Sequence, residues 1–417
     1  MSTFTPTKGQ AEALDAIRSL PKRFPNGGGV LVISGYAGTG KTTLLKVLAE
    51  EVSGLFVLTP TGKAAVRVKE AAGCDALTIH RWQYSPSVDE QTGECRFTQK
   101  NIEDLRLPSN GVIIVDEASM VQKQVWEHLY QFCRALQLSV VLIGDGFQLP
   151  PVEPDPTKRA FSVFGADFFA DLRVNLTEVL RQALESPIIR VCTQIRTKSD
   201  YSSALVEIDC VGEQGLGDAL LESYKNKGVV ICHQNKTRHS TNNSIRTLLK
   251  MPGDRLLVDE PLLVVKNNYN LNMFNGEVFR TKALESASSP VPVVDSYAHK
   301  SLYMVFQQVR LDPTMSDEKS SLCLEEIFGR TQGVSPEAIK KGSKKYYRDQ
   351  GFRGKEIPEH LHVNLGYTLT AHKCQGGEWD SGLVIVEPSV KMGTEEGRRW
   401  LYTAFSRMRK ALKVHWL

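Results

Sequence analysis

No apolar run in this chain approaches the roughly 18 residues that a membrane-spanning helix needs, which excludes a helical membrane protein. The first residues, Met1-Ser2-Thr3-Phe4-Thr5-Pro6, lack the basic-then-apolar pattern of a secretory signal. Cysteine is sparse: eight residues are scattered between Cys74 and Cys374, with no C-x-x-C pair. That argues against a disulfide framework or a cysteine zinc site and points to reduced thiols in a cytoplasm. Excess charge is lacking too. Lys and Arg number 51 against 47 Asp and Glu, a net +4 that is too small to mark a nucleic-acid binder by itself. There is no internal repeat and no low-complexity segment. With 417 residues, 41% hydrophobic and 24% charged, the chain reads as two to four ordinary globular domains.

What the chain does have is Gly35-Tyr36-Ala37-Gly38-Thr39-Gly40-Lys41-Thr42, a match to the phosphate-loop pattern G-x-x-x-x-G-K-[ST]. It follows an apolar run at 30–33 and opens a helical run through Thr43 to residue 51, the strand–loop–helix setting the pattern requires. Gly35, Gly38 and Gly40, with Ala37 and Thr39 between them, let backbone N–H groups close on phosphate oxygens. Lys41 then lies along the β- and γ-phosphates, and the Thr42 hydroxyl ligates Mg²⁺. The chain is therefore read as binding a nucleoside triphosphate.

Two further segments fit that reading. Gly111-Val112-Ile113-Ile114-Val115-Asp116-Glu117 is an apolar strand ending in two acids. Asp116 suits Mg²⁺ across from Thr42, and Glu117 suits alignment and deprotonation of an attacking water. Adjacent carboxylates at a strand end are costly unless a cation neutralises them. Leu142-Ile143-Gly144-Asp145-Gly146-Phe147-Gln148-Leu149-Pro150-Pro151 is another strand followed by a polar loop, in which the uncharged Gln148 suits a sensor of the γ-phosphate.

Apolar β-rich runs at 30–33, 55–58, 112–115 and 139–143 alternate with helical patterns such as 62–72 and 121–136. This predicts a parallel sheet covered on both faces, with ligands at the carboxyl ends of its strands. Residues 82–107 interrupt the alternation with a hairpin-like insert. A second α/β unit begins near residue 183, with a strand at 228–232. Short β-like runs at 256–258, 262–266, 277–281, 291–294 and 301–309 predict a small all-β insert, with the look of a barrel, that also holds a basic run. That run, 330–355, carries eight basic residues (Arg330, Lys340, Lys341, Lys344, Lys345, Arg348, Arg353, Lys355) against Glu337 and Asp349, with Tyr346, Tyr347 and Phe352 interleaved. It reads either as a track for a phosphate backbone or as a solvated face. The α/β texture returns with a strand at 383–386 and a helix at 398–409.

Further motifs stand in a fixed order along the chain: Phe4-Thr5-Pro6-Thr7-Lys8-Gly9-Gln10, Thr59-Pro60-Thr61-Gly62-Lys63-Ala64-Ala65, Leu77-Thr78-Ile79-His80, Leu176-Thr177-Glu178-Val179-Leu180-Arg181, Tyr367-Thr368-Leu369-Thr370-Ala371-His372-Lys373-Cys374-Gln375-Gly376-Gly377-Glu378 and Tyr402-Thr403-Ala404-Phe405-Ser406-Arg407. Together with the phosphate loop and the two segments after it, they resemble superfamily 1 helicases, specifically the 5′-to-3′ branch of RecD-like and phage Dda-type enzymes. The resemblance spans nearly the whole chain. Cys374 stands where many members carry serine or alanine, and Ser406 where threonine is usual.

The resemblance implies an α/β fold of two RecA-like, parallel-sheet, P-loop-type domains. The first comprises 1–81 and 105–182, the second 183–255 and 363–417. A β-hairpin pin occupies 82–104, and a small all-β insert like an SH3 barrel occupies 256–362. It implies that Gln10 reads adenine, that Arg181 and Arg407 reach the phosphates, and that Glu378 lies near the ribose. Pro60, Thr61, Lys63, His80, Thr370, His372 and Lys373 would contact single-stranded DNA. Phe97 falls where the pin carries an aromatic wedge. Stacking on a base is worth about 1–3 kcal/mol and a DNA step costs about 1.4 kcal/mol to unstack, so one ring can offset about one step. The implied activity is an ATP- and Mg²⁺-dependent DNA helicase, monomeric, acting on single-stranded DNA and forked or tailed duplexes. Its setting would be the cytoplasm of a bacterial or phage-infected cell, with a single-strand-binding, replication or recombination protein as a further partner. The alternatives are another P-loop ATPase without unwinding, or a nucleotide-dependent single-strand-binding protein without turnover. Glu117 argues against the latter, because a binder that does not hydrolyse ATP has little use for a water-activating residue.

Overall fold

The structure, a computed structural model, describes residues 5–417 apart from 53–54, 89–94, 109, 152–160, 181–184, 199, 269–270, 272, 296–297, 311–318, 329 and 332–333. The chain divides into two compact units. One comprises Met1–Ser85, Thr98–Gly212 and Ala371–Leu417, the other Pro86–Phe97 and Glu213–Thr370.

The first unit is built on a six-stranded sheet in the order Ala76–Thr78, Val57–Thr59, Val112–Val115, Ser139–Gly144, Val30–Gly35, Leu172–Leu176. Every pairing in it is parallel. Its central strands are buried almost throughout, as a sheet covered on both faces demands. Strand alternation sorts their side chains. Val30, Val32, Ile113 and Val115 enter a core with Trp126, Leu129 and Phe132 of the helix Lys123–Ala135. Leu31, Ile33, Val112 and Ile114 enter the opposite core with Leu14, Ile17, Leu44, Leu48 and Val68. Parallel pairing gathers the loops after Gly35, Thr59, Val115, Gly144 and Leu176 at one edge, where an α/β sheet binds ligands.

The same unit holds the C-terminal segment. The strand Trp379–Val386 runs parallel to Met408–Trp416, which pairs in turn with Asp209–Cys210. The helix that periodicity places at 398–409 spans Glu395–Phe405 instead. Met408 and Arg409 already belong to the last strand, whose pairing with 379–386 overrides the helical pattern.

In the second unit, Val229–Cys232 pairs in parallel with Thr368–Thr370 beside the helix Asn235–Leu248. Between them lies a β-rich region of three-, four- and two-stranded sheets that include Pro261–Val264, Phe306–Arg310 and Val291–Asp295. Residues 256–258 form no strand, and the run at 301–309 is broken into two, Lys300–Met304 and Phe306–Arg310. The all-β expectation for 256–362 is corrected by a 14-residue helix, Pro336–Asp349. Ser335 caps it through a hydrogen bond from Ala338 N, and Pro336 fits its first turn. Ala338, Ile339 and Tyr347 pack with Val293, Met304 and Phe306, which anchors the basic run as an amphipathic helix with Lys341, Lys345 and Arg348 exposed.

The insert after Gln83 is a two-stranded sheet, Tyr84–Val88 with Cys95–Gln99. Phe97 lies in its second strand, and its side chain falls outside the described residues.

Candidate active site

The phosphate loop runs from the strand Val30–Gly35 into the helix Lys41–Glu51. Gly40 sits at φ 80°, left-handed backbone that glycine adopts without strain. A Cβ on Gly40 would also collide with the Gln10 side chain. Gln10 is fully buried and works at both ends of its amide: Oε1 accepts from Thr7 N at 3.0 Å, and Nε2 donates to Thr39 O at 3.2 Å. It therefore closes the capping box of the helix Lys8–Arg23 and ties that helix to the loop. Lys41 Nζ donates to Gly35 O and Tyr36 O at 2.7 and 3.1 Å, which holds the ammonium over the loop. Leu180 N donates to Gly38 O at 3.0 Å, so the segment leading to Arg181 reaches the loop. Arg181 itself lies outside the described residues.

Asp116 and Glu117, 3% and 2% exposed, follow the strand Val112–Val115, which Ser139–Gly144 separates from Val30–Gly35 in the sheet. Glu117 takes left-handed backbone at φ 53°, a conformation that costs a non-glycine residue about 1–3 kcal/mol and turns the chain into the short helix Ala118–Met120. Burial, then repulsion from Glu117, raises the Asp116 carboxyl to about 6. Burial also opposes ionisation of Glu117, but Arg67, Arg407 and Lys41 overcome it and hold that carboxyl below the usual range. The oxygen donors Thr42 Oγ1 and Asp116, beside a buried Glu117 Oε2 that has no hydrogen-bond partner among the described residues, are a set suited to a hard cation such as Mg²⁺.

Arg67 organises this corner. Its Nη1 lies 3.0 Å from Glu117 Oε1 and 3.3 Å from Glu378 Oε1, and its Nη2 donates to Thr42 Oγ1 at 3.3 Å. Although burial works against its charge, Glu117, Glu378 and Asp116 raise its pKa further above the ordinary arginine value. No motif marks Arg67. The one available signal is its spacing, one turn after Lys63 on the helix Gly62–Ala72.

Four C-terminal side chains lock onto the loops of the first sheet. Tyr402 Oη donates to Asp145 Oδ2 at 2.6 Å and accepts from Ala37 N at 2.8 Å, so one hydroxyl joins the phosphate loop to the loop after Gly144. Thr403 Oγ1 accepts from Leu149 N, and Gln375 Nε2 donates to Leu149 O at 2.7 Å. Arg399 Nη1 donates to Gly146 O at 2.8 Å. These contacts hold Gln148, which is 3% exposed and whose Oε1 has no hydrogen-bond partner among the described residues. Arg407, also 3% exposed, donates to Gly377 O and Ser406 Oγ at 3.4 Å, and its charge is felt at Glu117.

The residues read as DNA-contacting are more dispersed. Thr61 caps the helix Gly62–Ala72 by accepting from Ala64 N, directly after Pro60. Lys63 Nζ lies 4.0 Å over the Trp379 ring. Gly376, at φ 75°, brings its backbone so close that a Cβ would lie 3.1 Å from Thr61 Oγ1. His80 is partly buried on the helix Ile79–Gln83, and burial pushes its pKa down. His372 and Lys373 lie on the turn Ala371–Cys374, while Thr370 ends the strand Thr368–Thr370 of the second unit.

Residues 6–212 match the AAA domain family, and residues 365–414 match the UvrD-like helicase C-terminal domain family. The ATP-dependent DNA helicase dda of Enterobacteria phage T4 is 31% identical over 232 residues, covering 52% of this chain and 48% of that protein. The ATP-dependent RecD2 DNA helicase of Deinococcus radiodurans is 26% identical over 403 residues, covering 91% of this chain and 46% of that protein. The chain thus spans about half the length of these relatives. A Pif1 helicase from Bacteroides, solved with ADP-AlF3 and single-stranded DNA, matches with a TM-score of 0.54 at 21% identity, covering 99% of this chain and 92% of that one. With the parallel sheets described above, that likeness shows a two-domain, RecA-like α/β helicase fold.

Proposed function

We infer the activity from the family: the chain belongs to the superfamily 1B helicases of the RecD, Dda and Pif1 type, and we propose that it hydrolyses ATP to move 5′-to-3′ along single-stranded DNA and open duplexes. The observation that carries this reading is the Tyr402 hydroxyl, shared between Ala37 N and Asp145. A C-terminal helix bonded to the phosphate loop cannot shift without changing the nucleotide site, and coupling of that kind is what a motor requires.

The residues divide the chemistry. Lys41 and Arg407, with Arg181, offset charge that spreads over the γ-phosphoryl group as it leaves. Glu117 accepts the proton of the attacking water, and Arg67 keeps Glu117 ionised and aimed. Mg²⁺, which Thr42 and Asp116 would hold, supplies further neutralisation of the phosphates. Gln148 reports the state of the γ-phosphate through the loop that Thr403, Gln375 and Arg399 grip. Gln10 braces the phosphate loop on the side that the resemblance gives to adenine, and Glu378, which the resemblance gives to the ribose, pairs with Arg67. Pro60, Thr61, Lys63, His80, His372 and Lys373 line the strand's path on the first unit, and the resemblance alone assigns Thr370 to that path and Phe97 to a wedge at the fork. The protein acts as a monomer on tailed or forked DNA.

Strand displacement with tailed duplexes tests this directly. With ATP and Mg²⁺, a duplex with a 5′ single-stranded tail should be separated while the same duplex with a 3′ tail stays paired. Separation of the 3′-tailed substrate alone would reverse the assigned polarity, and separation of neither would remove the unwinding activity.

A further inference from the structure

Among the described residues of the second unit, Glu326, His360 and His362 bring one ligand atom each to within 4.8 Å of one another. Glu326 comes from the short helix Leu324–Ile327. His360 ends the strand Glu359–His360, and His362 follows two residues later. His362 Nδ1 lies 2.9 and 3.2 Å from the two carboxylate oxygens of Glu326. His360 Nε2 lies 3.6 Å from Glu326 Oε2. The two imidazoles stand at 78° to each other with centroids 4.7 Å apart, so both rings address the same carboxylate from different directions.

Buried histidines normally hydrogen-bond. The His360 side chain is fully buried, and among the described residues neither ring nitrogen has a partner within hydrogen-bond distance, the Glu326 carboxylate standing 3.6 Å from Nε2. The side chains of His362 and Glu326 are 7% and 10% exposed, so water has little access to complete the set. A tetrahedral zinc ion with bonds of about 2.0–2.2 Å places its ligand atoms roughly 3.3–3.6 Å apart, and the histidine-to-carboxylate spacings of 2.9 and 3.6 Å span that range. The backbones are held in place independently. Asn268 Nδ2 donates to His360 O at 3.1 Å, Asn364 Nδ2 donates to Glu326 O at 2.9 Å, and Val265 N donates to His362 O at 3.0 Å. Rigid backbones presenting convergent donors are what a preorganised metal site needs.

We propose that Glu326, His360 and His362 bind one Zn²⁺ ion within the β-rich insert. Two imidazole nitrogens and one carboxylate oxygen supply three donors, and the burial of the three side chains shields the fourth position from bulk solvent. The ion fastens the helix Leu324–Ile327 to the segment 360–362 and plays no part in ATP turnover.

The test uses the full chain, purified without chelator. Elemental analysis should find about one zinc per chain. Removal of that zinc should lower the melting temperature, and added Zn²⁺ should restore it. Co²⁺ replacing the zinc should show the intense visible bands of a four-coordinate ion, and X-ray absorption should report nitrogen and oxygen donors with two imidazoles. His360→Gln with His362→Gln should abolish both the zinc content and the Co²⁺ bands. The X-ray absorption result needs no variant, so a double variant that fails to fold leaves the test intact. A wild-type chain that carries no zinc and neither melts higher nor gains a spectrum on titration would overturn the proposal. So would sulfur ligands, or stoichiometric binding that survives in the double variant.

Discussion

Arg407→Ala should leave ATP binding within a few fold of wild type and lower DNA-stimulated kcat by about 10³–10⁵, the range an arginine at the γ-phosphate supplies. Arg407 is buried, and among the described residues its guanidinium donates to Gly377 O and Ser406 Oγ, both at 3.4 Å. Neither contact needs a full charge, and neither satisfies Nε, which has no hydrogen-bond partner among the described residues. A buried cation with loose partners beside Glu117 is better explained by an anion it meets during turnover than by the stability it adds at rest. Arg407→Lys separates charge from geometry: it keeps the charge, loses the planar fork, and should recover only a small part of the rate. Rapid-quench single-turnover kinetics would measure both variants, and a loss of less than tenfold in Arg407→Ala would place Arg407 among structural residues.

Glu117→Gln should bind ATP as tightly as wild type and hydrolyse it about 10²–10⁴ times more slowly, because the amide cannot accept the water's proton. The partner mutation reveals how the acid is held. Arg67 touches Glu117, Glu378 and Thr42 together, so Arg67→Ala releases Glu117 from its ion pair and should cost about 10²-fold by itself, or about 2.7 kcal/mol. If Arg67 acts through Glu117, adding Arg67→Ala to Glu117→Gln should cost little more, since the two act as a unit. Full additivity in that cycle would mean that Arg67 serves the nucleotide directly.

Much of the first unit was legible in sequence because local pattern and burial agree there. The helix at 62–72 and the strand at 112–115 fall on their predicted residues, where periodicity, caps and apolar runs point the same way. Local pattern failed where tertiary partners decide. Met408 and Arg409 read as helix because their spacing suits one, yet they extend a strand that pairs with 379–386. The helix Pro336–Asp349 hid within a basic run because its apolar positions are few, and its burial depends on Val293, Met304 and Phe306, far away in sequence. The site shows the same division. Lys41, Thr42, Asp116 and Glu117 carry spacing that their chemistry dictates. Arg67, Arg399 and Gln375 matter through neighbours 50 to more than 200 residues away, and no local spacing encodes such meetings. Tyr402 stood within a recognisable motif, but its link from Ala37 to Asp145 is visible only in three dimensions.

That link is where ATP chemistry and strand movement would meet, and steady-state hydrolysis with and without a single-stranded oligonucleotide reads it out. Wild-type protein should turn over ATP at least tenfold faster with DNA. Tyr402→Phe, which removes the shared hydroxyl, should keep most of the basal rate and lose most of the acceleration. A wild-type rate indifferent to DNA would contradict the motor reading outright.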